Sequence, residues 1–478
     1  MNCAHVLLAL VLFPFAGLGE ELKRPNILIL LADNWAWPHA SAAGDPVVKT
    51  PNFDRVASEG VLFTNTYCQV PSCSPARAVL LTGQACHRLR DAANLWGSWP
   101  GSLWTYPELL EDEGYAAGYE GKGWGPGVIF QKSGARRNRN PSGRKFASFA
   151  AFLDAIPEDQ PFVYWMGSHN PHQPWTAQKE FFKGLDASKV KVPAYLPDTP
   201  EIRKTILDYY AEVQQFDHEA GLLLDELAKR KLEENTLVII LGDNGWQTPR
   251  GLANVYDAGT RTPMAIRWPG RGATGEKRDQ FVSFEDIAPT LLEAAGLEKH
   301  KAMTGRSLLP LLKDQNVPDW REAIYLERER HANVRDGDHS YPCRAIRTKS
   351  HLYVWNLEPE RWPAGDPEMH FAVGPFGDVD NTKFKSYILE HRQDPQVAPF
   401  FDLGFAKRPE HELYDLSSDP DQVRNIAADP TNQKRVQSLQ DRVKRWMKET
   451  GDPRFKNPGD DVFTNYQYFG GPPKKRKN

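Results

Sequence analysis

Two periodicities alternate along this chain. Residues 26–32 (NILILLA), 161–167 (PFVYWMG) and 235–241 (NTLVIIL) are apolar almost throughout. Runs of this length without polar alternation predict strands buried on both faces, as in a parallel sheet. Shorter strands are predicted at residues 61–65 and 115–119. Between them lie helical patterns. Over residues 201–230, Ile206, Tyr209, Tyr210, Val213 and Phe216 recur at helical spacing and predict the core face of a long amphipathic helix. Residues 50–59 predict a helix with Thr50 as N-cap, Pro51 at its first position and Gly60 as its stop. Residues 107–113, stopped by Gly114, and 284–297 predict two more.

This alternation predicts an α/β fold: a large domain with a mostly parallel central sheet flanked by helices. Past residue 336 the pattern changes. Residues 344–348 and 352–355 predict strands of a smaller antiparallel sheet, and residues 432–449 a helix packed on it. The Pro-rich, charged stretch 365–401 predicts loops over a cleft. The expected division is a large domain over 20–340, a smaller C-terminal α+β domain over 341–470, and a solvated basic tail at 471–478.

Composition narrows the class. The 478 residues are 40% hydrophobic and 25% charged, enough for a large core. A net charge of −3 gives no nucleic-acid binder's footprint. Residues 6–16 form an apolar run too short to span a bilayer, followed by small residues before Glu20 and Glu21. This predicts a signal peptide over 1–19, hence export to a periplasmic, lysosomal-like or secreted location. No later run predicts an integral membrane segment. The cysteines, Cys3, Cys68, Cys73, Cys86 and Cys343, fit neither a dense disulfide framework nor a zinc site. The basic stretch 132–145 reads as a solvated loop, or as a rim that attracts a polyanion.

The candidate chemistry sits at strand ends and at one helix start. The first long strand runs into Asp33-Asn34 and the third into Asp243-Asn244. Two such strands side by side would bring four oxygen-bearing groups to one sheet edge, where open α/β sheets bind ligands. Hard Ca²⁺ prefers such oxygens. Within SCSPARAVLLTG, residues 76–82 predict a short helix, with Pro75 in its first turn and Gly83 at its C′ position. Cys73 then lies at a helix amino end, which favours an anion, with Arg77 four residues on. A lone cysteine is ordinarily a small buried apolar residue, and a lone loop lysine such as Lys122 a solvated charge.

The wider context changes those readings. Cys73-Ser-Pro-Ala-Arg77 before LLTG, the run TPNFDRVASEGVLFTNTYC, the GKGWGPG turn at Lys122, HNPH at 169–172, and DNG at 243–245 resemble, in order, the sulfatase family. The resemblance covers about residues 24–455 and is strongest to the N-sulfatase (sulfamidase) branch. Its grounds there include HANV and YPCRAIRT near residues 331–348 and the ending ELYDLSSDP. It implies an alkaline-phosphatase-like fold, and oxidation of Cys73 to formylglycine by a maturation enzyme. It also implies one Ca²⁺ held by Asp33, Asn34, Cys73, Asp243 and Asn244. The formylglycine hydrate would attack sulfur and then expel sulfate. Arg77 would hold that nucleophile, Lys122 the sulfate oxygens, and His169 would serve the leaving group. His172, Arg250, Trp124 and His331 are the substrate-binding candidates.

Three positions depart from the family. Asn34 replaces an acid, Trp124 a histidine and Leu252 a cation, so Arg250, His172 and His331 are candidates to compensate. The expected substrate is a sulfated glycan, N-sulfoglucosamine among its forms. Two other functions fit the same scaffold: a non-catalytic glycan-binding relative, and a phosphate or phosphonate monoester hydrolase. The sequence leaves the oligomeric state open.

Overall fold

The computed structural model describes residues 24–129, 139–314, 316–368, 374–459 and 461–470. The expected signal peptide, half of the basic 132–145 stretch and the 471–478 tail lie outside these residues. The strands of the main sheet are β1 (Asn26–Ala32), β2 (Val61–Tyr67), β3 (Ala116–Gly121), β4 (Arg144–Lys145), β5 (Phe162–Gly167), β6 (Thr236–Gly242), β7 (Arg261–Arg267) and β8 (Glu276–Arg278). Their spatial order is β8-β2-β7-β6-β1-β5-β3-β4, with the short strand Val282–Ser283 also paired to β2. Only β7 runs against the others among these strands.

Period-two alternation divides the apolar strands between two cores. Ile27, Ile29 and Leu31 of β1 face one cluster with helix α2 (Cys73–Thr82). Leu28, Leu30 and Ala32 face the other with the long helix α3 (Pro200–Lys229). Both sheet faces are therefore covered, which is why these strands are apolar at nearly every position.

Register decides what lies at the sheet edge. Ala32 pairs with Gly242, Leu31 with Gly167, and Gly167 with Gly121. Parallel strands that end in step release the next residues in one row. Asp33, Asp243, Ser168 and Lys122 thus emerge side by side.

The smaller sheet is antiparallel, in the order β9 (Ala323–Arg328), β10 (Cys343–Thr348), β11 (His351–Asn356) and β12 (His411–Asp415). It begins before residue 341. Helix α4 (Gln433–Thr450) packs on it through Val436, Leu439, Val443, Trp446 and Met447. The stretch expected to be loops at 365–401 carries two helices in its described part, Lys383–Glu390 and Ala398–Phe405. Phe384 packs edge-on against Trp175 and Trp246, giving this stretch an apolar anchor that its Pro and charge content hid.

One capping expectation fails. The helix at Pro51–Ser58 follows Thr50, but the Thr50 hydroxyl makes no cap and bonds Ser41 and Asp54 instead. The Asp217 carboxylate on α3 takes the Asn52 and Phe53 N–H groups at 3.0 and 2.8 Å. A negative group from another helix satisfies that amino end.

A buried charge network ties the smaller sheet to the segment that follows α2. Arg344 Nε lies 2.6 Å from Asp452 and its Nη2 2.8 Å from Glu329. Arg454 reaches Glu329 at 2.8 Å, and His87 Nδ1 lies 3.1 Å from Glu327. Three carboxylates face two guanidinium groups, so an imidazolium at His87 balances the set. Burial opposes that charge, but Glu327 and Asp452 outweigh it and raise the His87 pKa above 6.5. A raised pKa contributes stability in full below the unfolded value, and loses it as pH rises through the folded value. We therefore expect His87→Gln to lower the melting temperature most at pH 5–6. The gap to wild type should shrink as pH is raised beyond 6.5, as thermal scans across that range would check.

Candidate active site

Helix α2 begins at Cys73, three residues earlier than the apolar pattern alone indicates, with Ser72 as N-cap. Pro75 is therefore its third residue, a place where no intrahelical acceptor is lost. Gly83 ends it with φ 66°, a left-handed conformation that glycine adopts without strain. The helix is buried along its whole length. Its amino end meets the row of residues released by β1, β3 and β6.

The groups interlock. Cys73 Sγ lies 3.5 Å from Asp33 Oδ1, 3.7 Å from Asn34 Oδ1 and 3.9 Å from Asn244 Nδ2. Arg77 Nε donates to Asp243 Oδ2 at 2.8 Å, and its Nη2 stands 3.6 Å from Asp33 Oδ1. Arg77 Nη1 donates to the Lys122 and Gly123 carbonyls at 2.7 and 3.1 Å, fixing the turn that carries Lys122. Lys122 Nζ reaches Asp33 Oδ2 at 2.5 Å. Asn34 has φ 72°, and its N–H donates to Asp243 Oδ1 at 2.8 Å.

Burial sharpens these charges. It would raise Asp33, but Lys122, His172 and Arg77 outweigh it and hold the carboxyl well below its usual range. At Asp243 burial wins over Arg77 and pushes the carboxyl up. Burial also drives the Cys73 thiol far above its ordinary value, so an unmodified thiolate is disfavoured here. Lys122 and Arg77 remain cationic because Asp33 and Asp243 overcome the burial penalty.

The donor set suits a hard cation. Two carboxylates and two amides surround Cys73, and the buried Asn244 Oδ1 and Asn34 Nδ2 have no hydrogen-bond partner. An orphaned amide oxygen beside two carboxylates is what calcium or magnesium would use.

The remaining candidates divide. His169 is exposed at the mouth of this row, and its ring makes no hydrogen bond among the described residues. Burial of its near side and the Lys122 and Arg77 charges lower its pKa below 6.5 despite Asp33. His172 has both ring nitrogens engaged: Nδ1 with the Gln173 carbonyl, Nε2 with Gln247 Nε2 at 3.5 Å. Gln247, which also binds Asp380, is a site neighbour that sequence reasoning missed. Its only sequence signal is its place four residues after Asp243. His331 is buried and pairs with Ser72 at 2.8 Å.

Two candidates do other work. Arg250 is not brought to the cluster: it bonds the Leu403 and Gln422 carbonyls and stacks 3.7 Å from the Tyr256 ring centre. Trp124 is buried, donates its Nε1–H to the Ser74 carbonyl at 3.1 Å, and packs edge-on against Trp99. It thus packs against the first turn of α2 through a carbonyl. Leu252 is buried as well.

An α/β scaffold with charged and amide side chains gathered at the carboxyl edge of its sheet is that of a hydrolase. The particular family follows from sequence. Residues 25–297 match the sulfatase family, and residues 242–366 match the family described as N-sulphoglucosamine sulphohydrolase, C-terminal. The chain belongs to the sulfatase family, whose members are sulfuric ester hydrolases. It is 29% identical to human N-sulphoglucosamine sulphohydrolase, over 91% of this chain and 92% of that protein. It is 27% identical to an ulvan-active sulfatase of Formosa agariphila, over 91% and 77% of the two chains. Among solved structures, one in complex with its substrate D-glucosamine-2-N,6-O-disulfate superposes with TM-score 0.64 at 19% identity, covering 91% and 100% of the chains. The phosphonate monoester hydrolase of Agrobacterium radiobacter shares the fold with TM-score 0.63 at 18% identity, covering 89% and 96%. Among the described residues no helix is long and apolar enough to cross a membrane.

Calcium added to chelator-treated protein should raise the melting temperature, since a ligand at a hundred times its Kd adds about 2.7 kcal/mol. Asp243→Ala should abolish that rise. An equal rise in the variant would place the ion elsewhere.

Proposed function

We propose that this protein is an exported, calcium-dependent sulfohydrolase acting on a sulfated glycan, with N-sulfoglucosamine as its foremost substrate. The observation that supports this is Cys73 at the amino end of a buried helix, enclosed by Asp33, Asp243, Arg77 and Lys122. In this reading residue 73 is carried as formylglycine, whose hydrate supplies a hydroxyl nucleophile. Asp33, Asn34, Asp243 and Asn244 would hold the calcium ion, which supplies charge stabilisation to the sulfate. The maturation enzyme that oxidises Cys73 is then an obligatory partner.

The chain's own groups have distinct tasks. Arg77 orients residue 73 against Asp33 and Asp243. Lys122 turns from Asp33 to the sulfate oxygens as charge develops there. Removing such a donor costs about 10²–10³ in kcat. His169 carries the proton to the departing amine or alcohol. His172, held between Gln173 and Gln247, keeps one tautomer and shapes the rim. A free acidic proton on His169 requires pH below its lowered pKa, so activity should fall as pH rises past a value under 6.5.

Buried Trp124 and Leu252 motivate a second reading, a glycan-binding relative without turnover. The deciding assay uses protein whose residue 73 is verified as an aldehyde by mass spectrometry, saturated with calcium. Sulfate release is measured from N-sulfated and O-sulfated glucosamine, beside a phosphate ester. Release from the N-sulfated sugar is expected. It should vanish in Cys73→Ala with the fold intact, and the alkaline limb of its pH profile should disappear in His169→Ala. Undiminished release by Cys73→Ala would sink the proposal. Binding of every sugar without turnover would favour the second reading.

A further inference from the structure

The amino end of α2 keeps donors that a helix ordinarily satisfies. Ser72 is its N-cap, with extended backbone at φ −159° and ψ 132°. Serine there normally turns its hydroxyl onto the N–H of the second or third helical residue. The third residue is Pro75, which has none, so only Ser74 offers an N–H. Ser72 makes no such cap. Its Oγ pairs with His331 Nδ1 at 2.8 Å instead. Among the described residues, the backbone N–H groups of Cys73 and Ser74 have no partner. Ser74 Oγ and Arg77 Nη2, on fully buried residues, have none either. Arg77 Nη2 points at Asp33 Oδ1, 3.6 Å away, the oxygen that contacts Cys73 Sγ.

His331 is itself held firmly. It follows β9, and the next N–H, that of Ala332, donates to Asp378 Oδ1 at 2.9 Å. Asp378 is gripped by Arg328 and Arg335 at 2.6 and 2.5 Å. Burial, aided by those two arginines and opposed by Asp378 and Asp380, lowers the His331 pKa. A neutral ring protonated at Nε2 accepts a hydrogen bond from the Ser72 hydroxyl at Nδ1.

We propose that His331 is a positioning residue: by holding the Ser72 hydroxyl away from α2, it keeps the Ser74 N–H and its neighbours free to receive an oxyanion of the sulfuryl group at residue 73. The inference rests on the sulfohydrolase reading above. It supplies donors that Trp124 and Leu252 do not. Competition is the physical core: a released serine hydroxyl would cap Ser74 and compete with the substrate for that N–H.

The test is a four-member cycle of wild type, His331→Leu, Ser72→Ala and the double variant. Each is checked for aldehyde content and saturated with calcium. Inorganic sulfate affinity is measured by calorimetry, and kcat on the N-sulfated sugar. His331→Leu should weaken sulfate binding about tenfold and lower kcat at least as much, since a lost oxyanion donor costs about 10²–10³. Ser72→Ala should stay within about twofold of wild type, and the double variant should return to the Ser72→Ala level. Losses that simply add would show that His331 acts by packing or by touching sulfate itself, and would overturn the proposal. So would a wild type that binds no sulfate. Should His331→Leu fail to fold, His331→Gln, which keeps a hydrogen bond to Ser72, is expected to bind like wild type. His331→Ala is then expected to bind weakly unless paired with Ser72→Ala. Affinity is read without turnover. The expected cycle in a protein that releases no sulfate from any sugar would therefore defeat the sulfohydrolase reading and leave this one standing.

Discussion

The structure depends on keeping four charges together at one sheet edge. Asp33, Asp243 and Arg77 are buried, Lys122 is half-buried, and the two carboxylates face the two cations. A single unpaired member would cost several kcal/mol, so each fixes its neighbours. Arg77 also ties the Lys122 turn to α2 through two carbonyls, which makes that turn rigid. The four formal charges cancel. A divalent cation among the oxygens would add two positive charges, one of which the single negative charge of a sulfate ester or sulfamate would answer.

Helix α2 is governed from both of its ends by the C-terminal half of the chain. His331 meets its N-cap, and Asp378 holds the next residue, Ala332. Just past its end, His87 joins Glu327, Arg344, Asp452 and Arg454 in the charge network. The small sheet is thus more than an appendage, because it sets the position of the helix that carries residue 73.

Trp124 and Arg250 show how position in a pattern differs from position in space. Trp124 occupies a turn where its relatives' chemistry would place a histidine. Its indole N–H instead holds the Ser74 carbonyl, and its ring closes the core over α2. Arg250 lies beside the Asp243 loop in sequence, yet it is committed to carbonyls and aromatic rings around Tyr256. A short separation along a loop sets no direction for a long side chain.

The sequence by itself determined the α/β class, the strands ending in Asp-Asn, and a helix just after Cys73 that stops at Gly83. Each of these is written in local physics: apolar runs, a proline in the first turn and a glycine at the stop. It also determined that two Asp-Asn pairs belong to one edge, because parallel strands deliver their ends to the same side. Only the tertiary structure decided the rest. The in-step ends of β1, β3, β5 and β6 depend on pairing between segments 46 to 210 residues apart. The capping of the Pro51–Ser58 helix by Asp217, the diversion of Ser72 to His331, and the engagement of His172 by Gln247 are side-chain choices among several partners. A residue's neighbours in sequence limit those choices, but long-range packing makes them.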